Sequence, residues 1–286
     1  MKKIKNIVVA IDFSVTSRHA YCYAAELSKT LNATLTVVHA IDQLLAPSDM
    51  LILETTKEDN IQLIKDIELL VEEENYRVNK LISLKEVGIK LINGDPVTSL
   101  VKLSENDDTD LIVMGTTGLS DVLTKVFGST SQLVSNKAHC PVILIPRGTV
   151  WQQIKKIVFA SNSDSMTTDL AQNITDFATN VSAEIHFVNV KNYDPLFERK
   201  QTEINWKELT DIDSTIHFEK HTVYGNDTIE QLKKYSEEKN INLIAFASKH
   251  RNFWENLMHK SITERSALSS ITPIMVIHMD DVTVSA

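Results

Sequence analysis

Cysteine is scarce in this 286-residue chain: Cys22 and Cys140 are the only two, far apart and in apolar surroundings. That excludes a disulfide scaffold and a thiolate metal site, and leaves buried structural thiols of a reducing compartment. Long apolar runs are missing as well. None approaches the about 20 residues that cross a bilayer. Met1-Lys2-Lys3 leads into a strand with no signal-peptide core. The expectation is a cytoplasmic protein with no membrane partner. Nor is there an excess of positive charge. Lys and Arg number 29 against 38 Asp and Glu, a formal net charge of -9, so a broad nucleic-acid surface is not expected. With 43% hydrophobic and 23% charged residues the composition is that of a globular protein long enough for two domains.

Glycine is the most informative shortage. There are seven, and three fall within the fourteen residues from Gly115 to Gly128, with Gly118 between them. Before Gly115, Asp110-Leu111-Ile112-Val113-Met114 reads as a buried parallel strand. After Gly128, Ser129-Thr130-Ser131-Gln132-Leu133-Val134 reads as the start of a helix. A loop that runs from a strand to a helix N-terminus offers backbone N–H groups and the positive end of the helix dipole to a phosphate. Gly115, Gly118 and Gly128 would let a ligand approach the backbone closely, while Ser129 and Thr130 add hydroxyl donors. Ordinary turn glycines are the plain alternative; the spacing in this context favours a phosphate loop. The loop is neither a Walker A sequence nor a GxGxxG fingerprint.

The chain is also written twice. Ile7-Val8-Val9-Ala10 aligns with Ile157-Val158-Phe159-Ala160, and Ala33–His39 with Ala183–Asn189, both at an offset of 150. Leu111-Ile112-Val113-Met114 aligns with Leu243-Ile244-Ala245-Phe246, and Pro141–Ile145 with Pro273–Ile277, at an offset of 132. The second copy is thus 18 residues shorter (150 less 132), with 193–210 standing in for the long helical stretch 57–84. In the first copy, strands are predicted near 4–11, 34–40, 86–92, 110–115 and 141–146, and helices near 15–31, 57–82, 97–106 and 129–138. That alternation predicts a parallel sheet with helices on both faces, binding its ligand beyond the carboxyl ends of the strands.

Gly-x2-Gly-x9-Gly-Ser at 115–129 resembles the ATP-binding signature of the universal stress protein family at every defined position. Ile7-Val8-Val9-Ala10-Ile11-Asp12-Phe13-Ser14 is similar to that family's first strand and its Asp-x-Ser turn. Asn93-Gly94-Asp95-Pro96 resembles the Gly-x-Pro turn before its third helix, so the matches span 1–147. The resemblance implies two flavodoxin-like, Rossmann-like, doubly wound domains in tandem. Residues 1–147 would bind ATP, with Mg2+ bridging the phosphates, and 153–280 would be a degenerate copy. Asp12 would take a ribose hydroxyl or the adenine amine, although the same carboxylate could simply cap the helix near Ser14. The resemblance further implies that Ala40 offers backbone groups to the adenine edge, and that Gly115, Gly118, Gly128, Ser129 and Thr130 hold the phosphates. Pro96 shapes a turn, and Lys125 reads as a solvated lysine. The family's domains pair through their last strands, so Val142–Ile145 and Ile274–Ile277 are expected to form an internal pseudo-dimer, with a homodimer also open.

No general base or positioned water is evident in the loop, so the expected protein is a nucleotide-responsive regulator in stress response with little or no turnover and an unidentified protein partner. Two other readings stay open: an adenylation or ATP-pyrophosphatase enzyme, and a structural adaptor with an empty site. The enzyme would carry a Ser-Gly-Gly-x-Asp-Ser-type loop where Ile11-Asp12-Phe13-Ser14-Val15 stands. No catalytic residue is assigned.

In the second copy Gly115, Gly118 and Gly128 become Ala247, His250 and Lys260, Ser129 becomes Ser261, and Asp12 becomes Asn162. A degenerate half kept as a structural partner is the favoured reading; Lys249, Arg251 and Lys260 holding another anion is the alternative. His39 reads as a satisfied core histidine. His217, Glu219 and His221 alternate along a strand and so share one face. Zinc would suit them, but with no further ligand in view a solvated sheet face is the reading taken, and no metal site is assigned.

Overall fold

The computed structural model describes residues 3–41, 57–77, 86–116, 128–160, 168–191, 216–249 and 272–279. The first half runs β1 (Asn6–Ala10), α1 (Val15–Leu31), β2 (Thr34–Ile41), α2 (Lys57–Arg77), β3 (Val87–Asn93), α3 (Pro96–Ser104), β4 (Leu111–Gly115), α4 (Ser129–Lys137) and β5 (Val142–Ile145). The second runs β6 (Lys156–Ala160), α5 (Thr168–Val181), β7 (Glu184–Lys191), β8 (Phe218–Tyr224), α6 (Thr228–Lys239), β9 (Leu243–Lys249) and β10 (Ile274–Met279). The protein is α/β, and the predicted strands and helices of the first copy are all present, with ends shifted by a residue or two except in α2, predicted to 82 and described to Arg77. The proposed replacement segment 193–210 lies outside the described residues.

Local chemistry sets these boundaries. Ser14 caps α1, its side chain accepting from Ser17 N at 3.1 Å. Asn32 ends it in the left-handed region at φ 51°. Asp95 caps α3 ahead of Pro96, which needs no N–H in the first turn. Apolar runs such as Val142-Ile143-Leu144-Ile145 are buried throughout, as strands covered on both faces must be.

The ten strands among the described residues form one sheet in the order β3-β2-β1-β4-β5-β10-β9-β6-β7-β8. Each half therefore repeats the same strand order, and the repeat extends to individual hydrogen bonds. Asp110 accepts from Lys5 N and Asn6 N, as Asn242 accepts from Lys155 N and Lys156 N. Gly94 N donates to Ile41 O, as Gly225 N donates to Lys191 O. All pairings are parallel except β5 with β10, which run antiparallel and join the halves. At this seam Leu144 faces Ile274, Ile143 faces Met275 and Val142 faces Val276, all buried.

Helices α1, α2 and α5 cover one face of the sheet, and α3, α4 and α6 the other. Around the joint, Trp151 packs edge-on against Tyr23 with ring centres 4.8 Å apart, and Gly148 N donates to His19 Nδ1 at 3.1 Å. Across the halves His278 Nε2 lies 2.8 Å from Ser135 O, at the end of α4. No described helix is long and apolar enough to cross a membrane.

Candidate functional site

In the first half the chain leaves β1 for β2 on one side and returns through β3 to β4 on the other. The strand order thus reverses between β1 and β4, and open sheets of this kind bind ligands beyond the carboxyl ends of the strands at such a point. Asp12, Ala40 and Gly115 sit at the ends of β1, β2 and β4, and the N-terminus of α4 brings Gly128, Ser129 and Thr130. Six of the seven predicted site residues therefore lie at one end of the sheet. The seventh, Gly118, lies outside the described residues, as do Lys125 and, in the second half, Asn162, His250, Lys260 and Ser261.

Asp12 is half-buried and its Oδ1 accepts from Ser14 N at 3.1 Å. One oxygen of the carboxylate thus shapes the turn into α1, as the capping alternative expects. Phe13 next to it adopts φ 63°, a left-handed turn that the flanking bonds sustain. Its ring meets the edge of His39 at 5.1 Å. His39 Nδ1 lies 2.9 Å from the carbonyl of Ile11; a carbonyl only accepts, so this nitrogen carries the proton. His39 is a satisfied histidine that ties β2 to the end of β1.

Gly115 has a physical reason in addition to the one its sequence context suggests. A Cβ there would come within 3.0 Å of the Thr16 backbone and of its Cγ2. The missing side chain is what lets the first turn of α1 close on β4. Nor does Gly128 need its freedom for conformation, since φ -71° with ψ 156° is open to any residue.

The loop that follows β4 is closed at its base. Gly128 N donates to Thr116 O, and Thr116 N donates to Ile145 O at 3.0 Å. Ser131 Oγ lies 2.8 Å from Thr116 O and 2.9 Å from Gly128 O, bridging both ends of the loop from a buried position. Sequence reasoning missed Ser131, which looks like one more hydroxyl in a run of Ser and Thr. Only the fold shows it pinning the base of 117–127.

The N-terminus of α4 differs from its counterparts. Ser14, Asp95 and Asp227 each satisfy first-turn N–H groups of their helices by a side-chain hydrogen bond. Gly128 makes no such bond. Gly128 thus supplies no side-chain acceptor to the first-turn N–H groups of α4, at Ser129, Thr130 and Ser131, which stand at the positive end of the helix dipole. At the corresponding strand end of the second half, Ala247 replaces Gly115 and is followed by fully buried Ser248.

Comparison with known proteins places this arrangement. A family model described as the universal stress protein family matches residues 3–146. A universal stress protein of Methanocaldococcus jannaschii is 28% identical over 151 residues, covering 50% of this chain and 82% of that protein. The stress response protein NhaX of Bacillus subtilis is 26% identical over 161 residues, covering 49% of this chain and 96% of that one. Over nearly the full length, a universal stress protein structure from Archaeoglobus fulgidus superposes with a TM-score of 0.68 at 19% identity. It covers 96% of this chain and 97% of that one. At that identity the likeness concerns the fold.

Proposed function

The chain belongs to the universal stress protein family, and from that premise we propose that its first half binds ATP and acts as a nucleotide-responsive regulator in stress response. The two halves are read as domains, 1–147 and 153–280, and the second is a degenerate partner. The observation that carries the reading is the first turn of α4, whose N-cap residue Gly128 supplies no capping side chain and which carries Ser129 and Thr130. An N-terminus of this kind favours an anion by partial charge and by hydrogen bonding together.

The residues fit a nucleotide laid across the strand ends. Backbone N–H groups of Ser129 and Thr130, with the glycines of the loop, would hold the phosphates, and Mg2+ would neutralise them further. Asp12 would take a ribose hydroxyl and the backbone at Ala40 the adenine edge. A bound nucleotide would alter the surface that a protein partner meets at this end of the sheet. No general base is assigned: the loop sequence offers none, and Asp12 Oδ1 and His39 Nδ1 are engaged with the Ser14 N–H and the Ile11 carbonyl. Turnover is accordingly placed orders of magnitude below the roughly 1 s⁻¹ of a slow ordinary enzyme.

Replacing Gly118 and Gly128 together by Val tests the reading. Added side chains would block approach to the phosphates, while a loop tolerates change better than the core. The expected result is loss of ATP binding with an unchanged melting transition, and negligible phosphate release by the parent protein with Mg2+. Parent-like ATP binding by the double variant would remove the phosphate-loop assignment. Rapid Mg2+-dependent phosphate or pyrophosphate release would favour the enzyme instead.

A further inference from the structure

At the outer edge of the second half, the strands bring together a set of side chains that sequence spacing alone leaves apart. The register places His186 of β7 beside Glu219 of β8, and Val188 beside His221. Alternation then puts Glu184, His186, His217, Glu219 and His221 on the face that α6 covers. His221 Nε2 lies 2.8 Å from Glu219 Oε2, and His186 Nδ1 lies 3.8 Å from the same oxygen. One ligand atom from each of these three residues falls within 4.8 Å of the others. In a tetrahedral zinc site with bonds of about 2.0–2.1 Å, ligand atoms stand about 3.4 Å apart. The observed separations bracket that value.

The surroundings prepare His186 in particular. Its side chain is only 1% exposed, and its Nε2 lies 3.2 Å from Glu184 Oε1, which Lys156 holds at 2.9 Å. A carboxylate only accepts, so Nε2 carries the hydrogen and the lone pair of neutral His186 is on Nδ1. Nδ1 faces Glu219 and the hydroxyl of Tyr235 from α6, 2.7 Å away. A histidine anchored through one nitrogen on a carboxylate, with the other turned to neighbouring ligands, has the second-shell arrangement of metal-binding histidines.

The first half has none of these groups. Its matching register pairs Thr36 with Gly88 and Val38 with Lys90, so Thr36, Gly88 and Lys90 occupy the places of His186, Glu219 and His221. Leu103, in Leu100-Val101-Lys102-Leu103-Ser104, stands for Tyr235 in Leu232-Lys233-Lys234-Tyr235-Ser236. The cluster belongs to the second copy alone, which has also replaced Gly115 by Ala247.

We propose that the second half binds one transition-metal ion of the Zn2+ class through His186, Glu219 and His221, tying edge strand β8 to β7 beneath α6. Two imidazole nitrogens and one carboxylate oxygen suit Zn2+, with the fourth position left to water or to the Tyr235 oxygen. Glu184 is a positioning residue that acts through His186.

The test is titration of the full-length protein with Zn2+ alone against a chromophoric chelator, with Co2+ absorption as a second readout. The expected result is one Zn2+ per chain, a Co2+ spectrum of low coordination number, and a melting temperature that rises with Zn2+. Glu219→Gln and His221→Ala, both at partly exposed positions, should weaken binding at least tenfold, and the double variant should abolish it. Glu184→Gln should weaken binding by about 10–100-fold without removing it. Failure to take up Zn2+, or stoichiometric binding that persists in the double variant, would overturn the proposal and leave a hydrogen-bonded histidine network. ATP binding by the first half should be unchanged in all four variants, which separates this result from the nucleotide assignment.

Discussion

Gly115 and Ser131 organise the base of the candidate site without offering a side chain to it. Thr16 fills the space a Cβ at position 115 would need, with its backbone carbon at 3.0 Å. Gly115→Ala must therefore push the first turn of α1 away from β4 by a few tenths of an ångström. The expected cost is about 1–3 kcal/mol, the usual range for overpacking, read by urea denaturation. A neutral substitution would show that α1 gives way freely and that the packing reason is wrong. The spacing of Gly115 was legible in the sequence, but its cause was not, because Thr16 is distant along the chain. Ser131 escaped for a similar reason: its bonds to Thr116 and Gly128 exist only once the loop has closed on itself. His186 was hidden by register, since β7 and β8 meet only in the sheet. The alternation of His217, Glu219 and His221 was legible; the ligand that completes it was not.

Where element boundaries were legible, a nameable local interaction sets them. The bounds of α1 coincide with the prediction because Ser14 and Asn32 mark them by capping and by left-handed conformation. For α3 the prediction of 97–106 began one residue late and ran past the end, since Pro96 starts the helix and Glu105 closes it. Asp95 caps α3 by accepting from Thr98 N at 2.7 Å and from Thr98 Oγ1 at 2.8 Å. Those bonds, chiefly the one from the Thr98 backbone, hold its carboxyl below the usual range. A folded-state pKa lower than the unfolded one gives stability that is fully present above the unfolded value. It is lost as pH falls through the folded value. Asp95→Ala should cost about 0.5–1 kcal/mol near pH 7, toward the lower end of capping effects because the group is exposed. The difference between parent and variant should shrink as the solution is acidified below the carboxylate range. A gap that stays constant across that acid range would show that the cap does not act through its charge.

At the scale of the whole molecule, two copies of one strand order meet through β5 and β10 and continue as a single sheet. Joining them in one chain keeps the partner at high effective concentration, which frees the copies to diverge while the seam stays buried. The repeat offsets made the halves legible, and the apolar runs at 142–145 and 274–277 made their pairing an expectation the structure meets. Divergence falls at the ends of the sheet. The first half keeps Gly115, Gly118, Gly128 and Asp12; the second carries Ala247, His250, Lys260 and Asn162 in their places and gathers His186, Glu219 and His221 at its outer edge. The proposed molecule is therefore asymmetric, with a single nucleotide site. Calorimetric titration of the full-length protein with ATP in the presence of Mg2+ tests this most directly. The expected isotherm fits one site per chain; two equivalent sites, or no heat of binding at all, would contradict it.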